Sequence, residues 1–222
     1  MGFGLFGKLP QKRDFIAFGI AQDILTPLET WLQSALAASR AELGKSWEQH
    51  YLVAPLWRFW IGPAILGTGC AGVIMPSVDG VGRYFPLMAL YACGNSETIA
   101  PPPFAPQGDW FGALEGRLLS VLHNDGAVEI DALLAGLPAP ALEQASGSAR
   151  ENFKGSTLWR GGPDTGPAAL LTGIVEEDYR LAARTRTYWW TNGSADGGPV
   201  LLTKDGLPDP YFYTLMLKSV AD

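Results

Sequence analysis

The sequence predicts an α+β fold in which a central, mostly antiparallel sheet carries helices packed on its faces. Short apolar runs bounded by turn residues recur near residues 3, 56, 70, 84, 157, 185 and 201, and such runs are typical of strands. Between them lie longer segments whose apolar residues repeat every 3.6 positions, the period of amphipathic helices. The runs at 70–75 and 84–93 flank a polar, glycine-containing turn and predict an antiparallel pair.

The clearest helix is predicted over residues 22–43. Asp23 or Thr26 is the candidate N-cap, and Gly44 is expected to end the helix. One face of this helix is apolar through Ile24, Leu28, Trp31, Leu32, Ala35 and Leu36. It is therefore expected to cover one side of the sheet.

The remaining elements follow the same two patterns. Further helices are predicted at 46–53 with Ser46 as cap, at 109–123 with Asp109 as cap, and at 128–137, 167–179 and 209–219. Further strands are predicted at 3–9, 56–61, 157–160, 185–191 and 201–203. The loop at 94–108 holds four prolines, which makes 109–150 a candidate helical subdomain, and the weakly patterned residues 141–153 are expected to be mobile. We nevertheless expect one domain over residues 1–222.

Composition limits the classes of function. With 47% hydrophobic residues the chain can bury a sizeable core, and a formal net charge of −6 argues against nucleic-acid binding. The apolar runs are too short to span a bilayer, and the first residues lack the pattern of a signal peptide. We therefore expect a cytoplasmic protein without membrane insertion, in which Cys70 and Cys93 are reduced core residues.

Known catalytic and cofactor motifs are incomplete. Residues 2–7 match G-x-G-x-x-G, but Leu9 and Pro10 stand where a phosphate-binding loop needs a helix, so we interpret this stretch as an edge strand with closely packed glycines. His50 and His123 are the only histidines, and neither has a metal-ligand partner at suitable spacing. The residues therefore complete no known catalytic set, and we expect no metal and no cofactor.

A polar turn between the two central runs is the main candidate site. It carries Ser77, Asp79 and Arg83, with Gly80 and Gly82 expected at positive φ. A bidentate ion pair between Asp79 and Arg83 would pin the turn, and Ser77 would cap it through its own backbone. A structural role is the commoner one for such residues, and a binding role is compatible with it.

The tryptophans near this turn form a second candidate surface. Trp57 and Trp60 lie three apart on a predicted strand and so face opposite sides of the sheet. One of them is expected in the core and the other on an outer face, and the same holds for Trp189 and Trp190. An exposed tryptophan beside Arg58 would have the composition of a protein–protein hot spot.

Several short motifs occur in a familiar order along nearly the whole chain. They are Phe6-Gly-Lys-Leu-Pro10, Asp14-Phe15, Trp31-Leu32, Ser39-Arg40, Pro55-Leu-Trp-Arg-Phe59, residues 72–79, Val81-Gly-Arg83, Phe85-Pro-Leu87, Tyr188-Trp-Trp190 and Gly206-Leu-Pro208 with Phe212. Together they resemble the TagF family, also called ImpM, which is associated with type VI secretion. Arg13 departs from the pattern, because a glycine is expected before Asp14-Phe15.

The resemblance implies a cytoplasmic accessory protein that restrains type VI secretion after translation. It implies no enzymatic activity, and its expected partner is the forkhead-associated scaffold protein Fha. On this interpretation Ser77, Asp79, Arg83, Trp57 and Arg58 are partner-binding residues or the framework of a structural turn.

Two other interpretations remain open from the residues. The turn of Asp79 and Arg83 would serve a small-molecule or nucleotide-binding sensor or hydrolase if Gly7 and Lys8 formed an anion cradle beside it. A deep cleft joining Lys8, Asp79 and Arg83 would favour that function. Alternatively the turn only stabilises the fold, and the partner binds elsewhere.

Overall fold

The computed structural model describes residues 2–94, 97–123, 129–144, 150–193 and 198–218. Its strands are β1 (Phe3–Lys8), β2 (Phe15–Phe18), β3 (Trp57–Ile61), β4 (Cys70–Met75), β5 (Leu87–Ala92), β6 (Glu97–Ile99), β7 (Leu142–Gln144), β8 (Arg150–Phe153), β9 (Ser156–Trp159), β10 (Arg186–Thr191) and β11 (Val200–Asp205). Among the described residues, seven strands form one sheet in the order β11-β10-β3-β4-β5-β1-β2. All its neighbouring strands pair antiparallel, which confirms the predicted α+β fold.

Helices cover both faces of this sheet. They are α1 (Gln22–Leu43), α2 (Trp47–Val53), α3 (Pro63–Leu66), α4 (Gly108–Ser120), α5 (Ile130–Leu134), α6 (Pro167–Ala183) and α7 (Phe212–Lys218), with 3-10 turns at Gly44–Ser46 and Val121–His123. The apolar stripe of α1 is buried as its sequence predicts. At its end Gly44 adopts a φ of 53° and donates its N–H to the Arg40 carbonyl, so the predicted helix end is confirmed.

The predicted helix caps are wrong for α1 and α4 and partly right for α2. Ala21 occupies the N-cap of α1, because Asp23 and Thr26 already lie inside the helix. Ser46 occupies the N-cap of α2 as predicted, but it is in a helical conformation and its side chain makes no capping bond, since the 3-10 turn runs directly into α2. Gln107, not Asp109, precedes α4. Asp23 and Asp109 in the first turns of α1 and α4 therefore lie near the positive ends of the helix dipoles but make no capping hydrogen bond.

The sheet separates two buried clusters. Trp57, Phe59 and Trp189 pack with α1, α2 and α7 on one face, whereas Trp60 and Tyr188 pack with α4 and α5 on the other. Trp57 and Trp60 therefore face opposite sides, as the strand period predicts. The expectation that one of them lies on an exposed face is wrong, because helices cover both sides and leave the two side chains 1% and 2% exposed.

The links between elements differ most from the sequence prediction. The strand predicted from residue 84 begins at Leu87, and residues 76–86 connect β4 to β5 with one bridge between Val78 and Tyr84. Strand β2 and helix α3 carry too little pattern to have been predicted. The helix predicted at 128–137 is shorter, and β7 and β8 fall in the weakly patterned residues 141–153, of which 145–149 lie outside the described residues.

Helix α4 shares its core with the sheet. Its Trp110, Leu114 and Leu118 belong to the same buried cluster as Leu5 and Val73. These contacts favour one folding unit over a separate helical subdomain at 109–150. The single domain over residues 1–222 stays a prediction.

Both cysteines are buried free thiols. Cys70 belongs to the cluster beneath α1 and Cys93 to the cluster beneath α4. Burial raises the pKa of Cys70 to about 12 and that of Cys93 to about 11, so both thiols are protonated at neutral pH. Of the helices that the structure describes, none has the length and apolar character needed to cross a membrane.

Candidate functional site

The turn at residues 76–86 brings Ser77, Asp79 and Arg83 together between β4 and β5. The Asp79 N–H donates to the Arg83 carbonyl at 3.0 Å, and the Gly82 N–H donates to the Asp79 carbonyl at 3.0 Å. Gly82 has the expected positive φ, at 84°. Gly80 does not have the expected positive φ. A side chain is disfavoured at residue 80 for another reason: its N–H donates to the Lys12 carbonyl, and an added Cβ would lie 3.0 Å from the Pro10 carbonyl oxygen.

The Asp79 carboxylate is the centre of the turn and has no exposed side-chain surface. Its Oδ1 accepts backbone N–H groups of Val81 at 3.1 Å and Arg83 at 2.9 Å. Its Oδ2 accepts Lys8 Nζ and Arg83 Nε, each at 2.7 Å. Burial would raise the pKa of Asp79, but these hydrogen bonds and cations oppose it and hold that pKa well below its ordinary value. Asp79 is therefore a stable anion.

The ion pair between Asp79 and Arg83 is present, but it is not bidentate between side chains. Only Nε of Arg83 reaches the carboxylate, and 56% of the Arg83 side chain is exposed. Nη2 donates to the carbonyl of Arg13 on the neighbouring segment. Because the backbone of residue 13 makes this contact, an arginine there is compatible with the turn despite its departure from the family pattern.

Lys8 supplies the second cation. It lies on β1, its side chain is 4% exposed, and its ammonium is 4.9 Å from the centre of the Phe15 ring. From the sequence, Lys8 was given a functional role only in the alternative in which it forms an anion cradle with Gly7. In the structure the pairing of β1 with β5 places this ammonium on the Asp79 carboxylate, with a separation of 71 residues in the chain.

Ser77 joins the turn to other elements, so the expected cap through its own backbone is wrong. Its Oγ donates to the carbonyl of Lys8 at 2.7 Å, because that β1 carbonyl lies within reach of the buried hydroxyl. The Tyr51 hydroxyl donates to the Ser77 carbonyl at 3.0 Å and accepts the Ser77 N–H at 3.1 Å. Burial raises the pKa of Tyr51, which keeps this hydroxyl neutral and able to donate.

Trp57 and Arg58 lie apart from this network. Trp57 is 1% exposed and donates Nε1 to the Met216 carbonyl at 3.3 Å. Arg58 makes a bidentate pair with Glu115 on α4, at 2.7 and 2.8 Å. A hot spot here would need an exposed tryptophan beside Arg58, and Trp57 does not meet that condition, because both side chains pack the sheet against its helices.

The glycine-rich start is a strand within the sheet. β1 lies between β5 and β2, so the expected edge position is wrong. The expected close packing is confirmed, since a Cβ at Gly7 would lie 2.0 Å from the Pro86 carbonyl oxygen and one at Gly4 would lie 2.3 Å from Ile20 Cγ1. Lys8 and Asp79 are both sealed from solvent, which counts against an anion cradle at this turn.

An open groove of about 780 Å³ runs between the turn and the end of α1. Its cations are Arg40, Lys45 and Arg83, and Glu48 is its acidic residue. The other lining residues are Gly44, Trp47, Gly82 and Tyr84. This groove was not predicted from the sequence. The available signal was a pair of basic residues on either side of the helix-ending Gly44.

Comparison with known proteins identifies the family of the chain. A family model described as TagF N-terminal domain, type VI secretion system-associated, matches residues 4–139. The crystal structure of PA0076 from Pseudomonas aeruginosa PAO1, at 2.05 Å resolution, is similar with a TM-score of 0.77 and 32% sequence identity, over 97% of this chain and 93% of that chain. No curated protein matches the chain. The chain is therefore a member of the TagF family of type VI secretion-associated proteins.

Proposed function

We propose that this chain is a cytoplasmic accessory protein that restrains type VI secretion after translation by binding a forkhead-associated scaffold of the Fha type. Membership of a type VI secretion-associated family is the observation that carries the proposal. The ordered motifs along the chain support it, because they extend beyond the matched residues to Phe212.

The chemistry of the conspicuous polar residues favours binding over catalysis. Asp79 has all its acceptor positions engaged by Lys8, Val81 and Arg83. Nδ1 of His50 and of His123 each lies within hydrogen-bonding distance of a carbonyl four residues earlier in the chain. Among the described residues no group of three or more His, Cys, Asp and Glu side chains forms a candidate metal site. A function through protein contacts needs none of these groups to be reactive.

Binding to the scaffold is tested with purified proteins. Isothermal titration calorimetry of this chain against the forkhead-associated scaffold should give a saturable, stoichiometric complex. Absence of binding by the folded chain at micromolar concentration would contradict the proposed partner. A pull-down from a type VI-competent lysate followed by mass spectrometry would then identify the true partner.

Restraint of secretion needs a cellular measurement. Overproducing the chain in a type VI-active strain should lower the amount of secreted type VI substrate without lowering its total cellular amount. A fall in both would place the effect at expression, and an unchanged secreted amount would contradict the regulatory role.

A thermal-shift screen with nucleotides should show no stabilisation, because Lys8 and Asp79 are buried against each other.

A further inference from the structure

We infer that the groove between the end of α1 and the 76–86 turn binds an acidic, carboxylate-rich peptide segment of a protein partner. The inference rests on the proposed function in taking a protein as the partner. The groove is built from Arg40 and Lys45 on one side and Arg83 on the other.

The local charge of the groove opposes that of the chain. Three cations and the single acid Glu48 give the groove a formal charge of +2, whereas the whole chain carries −6. Arg40 and Lys45 are exposed, and neither forms an ion pair with any residue in the part of the chain that the structure describes. The C-terminal end of α1 carries only about half an elementary negative charge, so it offsets a fraction of this surplus.

Aromatic side chains line the groove, and contacts with buried residues fix their positions. Trp47 donates Nε1 to the Ser39 hydroxyl at 2.8 Å and stacks on Tyr51 with ring centres 4.7 Å apart. Tyr84 packs edge-on against Trp47 and Tyr51 at 5.3 and 5.4 Å. Tyr51 is also the residue bonded to Ser77 of the turn. The two cationic sides are therefore fixed relative to each other, which lowers the entropic cost of binding.

The cations are presented in a form suited to carboxylates. The Arg40 guanidinium lies 4.4 Å from the centre of the Trp47 ring, so its face is occupied and its N–H edge remains for a planar acceptor. Arg83 uses Nε on Asp79 and Nη2 on the Arg13 carbonyl, while more than half of its side chain stays exposed. Clusters of this kind recognise acidic motifs by charge-assisted hydrogen bonds.

Nucleic acid fits the groove less well. Sequence-independent binding to phosphate backbones draws on roughly six to ten contacts along an extended basic face. This groove offers three cations on an acidic protein. An acidic peptide matches both the number of cations and the open shape.

The test uses fluorescence anisotropy with a fluorescein-labelled octapeptide of glutamates and a matched octapeptide of glutamines. The full chain should bind the glutamate peptide and leave the glutamine peptide free. Binding should weaken as salt rises from about 0.05 to 0.5 M, because the contacts are between exposed charges. Equal binding of the two peptides would overturn the inference.

Matched variants locate the site. Arg40→Gln with Lys45→Gln should weaken binding of the glutamate peptide by about tenfold or more, whereas Glu48→Gln should strengthen it. Arg184→Gln with Lys204→Gln removes one exposed arginine and one exposed lysine far along the chain, and should leave binding within about twofold. Equal losses in the two double variants would show a general charge effect and overturn the assignment to the groove.

Titrations with the scaffold separate this inference from the proposed function, and a titration with vesicles tests the choice of a peptide. Failure of the wild-type chain to bind the scaffold, with peptide binding intact, would remove the proposed partner and leave the groove assignment standing. Scaffold binding that survives the Arg40→Gln and Lys45→Gln changes would overturn the groove as the partner site. Tighter binding of phosphatidylserine vesicles than of peptide, lost in the same variant, would overturn the choice of a peptide.

Discussion

Two strands of the sheet each carry a buried cation, and the two cations are used differently. Lys8 on β1 pairs with Asp79 in a turn, where the two side chains are 4% and 0% exposed. Arg58 on β3 pairs with Glu115 on α4, where the side chains are 11% and 22% exposed. Water therefore reaches the second pair and not the first.

The consequence lies in what each carboxylate organises. Asp79 accepts two backbone N–H groups of its own turn besides its two cations, so the conformation of residues 79–83 depends on it. Among the described residues, Glu115 accepts only the Arg58 guanidinium, and it ties a helix to a strand that already packs through Phe111 and Trp60. The fully buried pair of Lys8 and Asp79 therefore determines a backbone conformation, whereas the partly hydrated pair of Arg58 and Glu115 only links a helix to a strand.

Removing the sealed carboxylate should have the largest effect. Asp79→Ala leaves the Lys8 ammonium buried without its partner, and we expect the melting temperature to fall by roughly 6–20 °C. Differential scanning calorimetry measures this change. Glu151→Ala is the control, since Glu151 pairs with Arg160 at 3.5 Å on the surface, and it should shift the melting temperature by no more than about 4 °C. Equal shifts would remove the distinction between sealed and exposed pairs.

The pH dependence of stability sharpens the same distinction. Because the pKa of Asp79 is lowered on folding, its contribution is fully present above the unfolded carboxyl value of about 4 and is lost as the pH falls below it. The melting-temperature gap between wild type and Asp79→Asn should therefore stay constant from about pH 8 to pH 5.5 and narrow below about pH 4. A gap that persists unchanged to about pH 3 would contradict the assignment.

Breaking the partly hydrated pair should cost less. Glu115→Ala is expected to lower the free energy of unfolding by about 1–3 kcal/mol, because the freed Arg58 guanidinium has some access to water. Urea denaturation measures the loss, and hydrogen exchange should show it concentrated in α4. A loss as large as that of Asp79→Ala would mean that exposure does not separate the two pairs.

The smallest effect concerns the hydroxyl that links the turn to β1. Ser77→Ala removes the 2.7 Å bond to the Lys8 carbonyl and should cost about 1 kcal/mol in urea denaturation. Ser34→Ala is the matched control, because Ser34 is exposed on α1 and its hydroxyl donates to the Thr30 carbonyl of the same helix at 2.9 Å. That change should be neutral or slightly stabilising, since alanine is the better helix former. Equal changes in the free energy of unfolding for the two variants would mean that the Ser77 hydroxyl does not stabilise the fold.

Sequence patterns predicted the parts of the fold that depend on local repetition. The α1 stripe from Ile24 to Leu36, the run forming β4 and the opposite facing of Trp57 and Trp60 all follow from side-chain period. The polar turn was also visible, because Ser77, Asp79 and Arg83 stand between two apolar runs.

Of the partners of that turn, only Lys8 was suggested by the sequence, and only as part of an anion cradle. Lys8, Tyr51 and the Arg13 carbonyl reach it through tertiary packing, and no spacing in the sequence encodes such contacts. The prediction that one of Trp57 and Trp60 is exposed was wrong for the same reason. Their burial depends on whether helices cover one face of the sheet or both, and tertiary packing determines that. The groove beside the turn likewise needs α1, α2 and the turn to be assembled.

The docking of α7 has a consequence for synthesis on the ribosome. The indole N–H of Trp31 donates to the carbonyl of Pro208, and that of Trp57 donates to the carbonyl of Met216. Both tryptophans lie within the residues matched by the family model, yet their acceptors are translated 177 and 159 residues later. We therefore expect the cluster beneath α1 to close only when residues 208–217 have left the exit tunnel, because these residues complete its contacts.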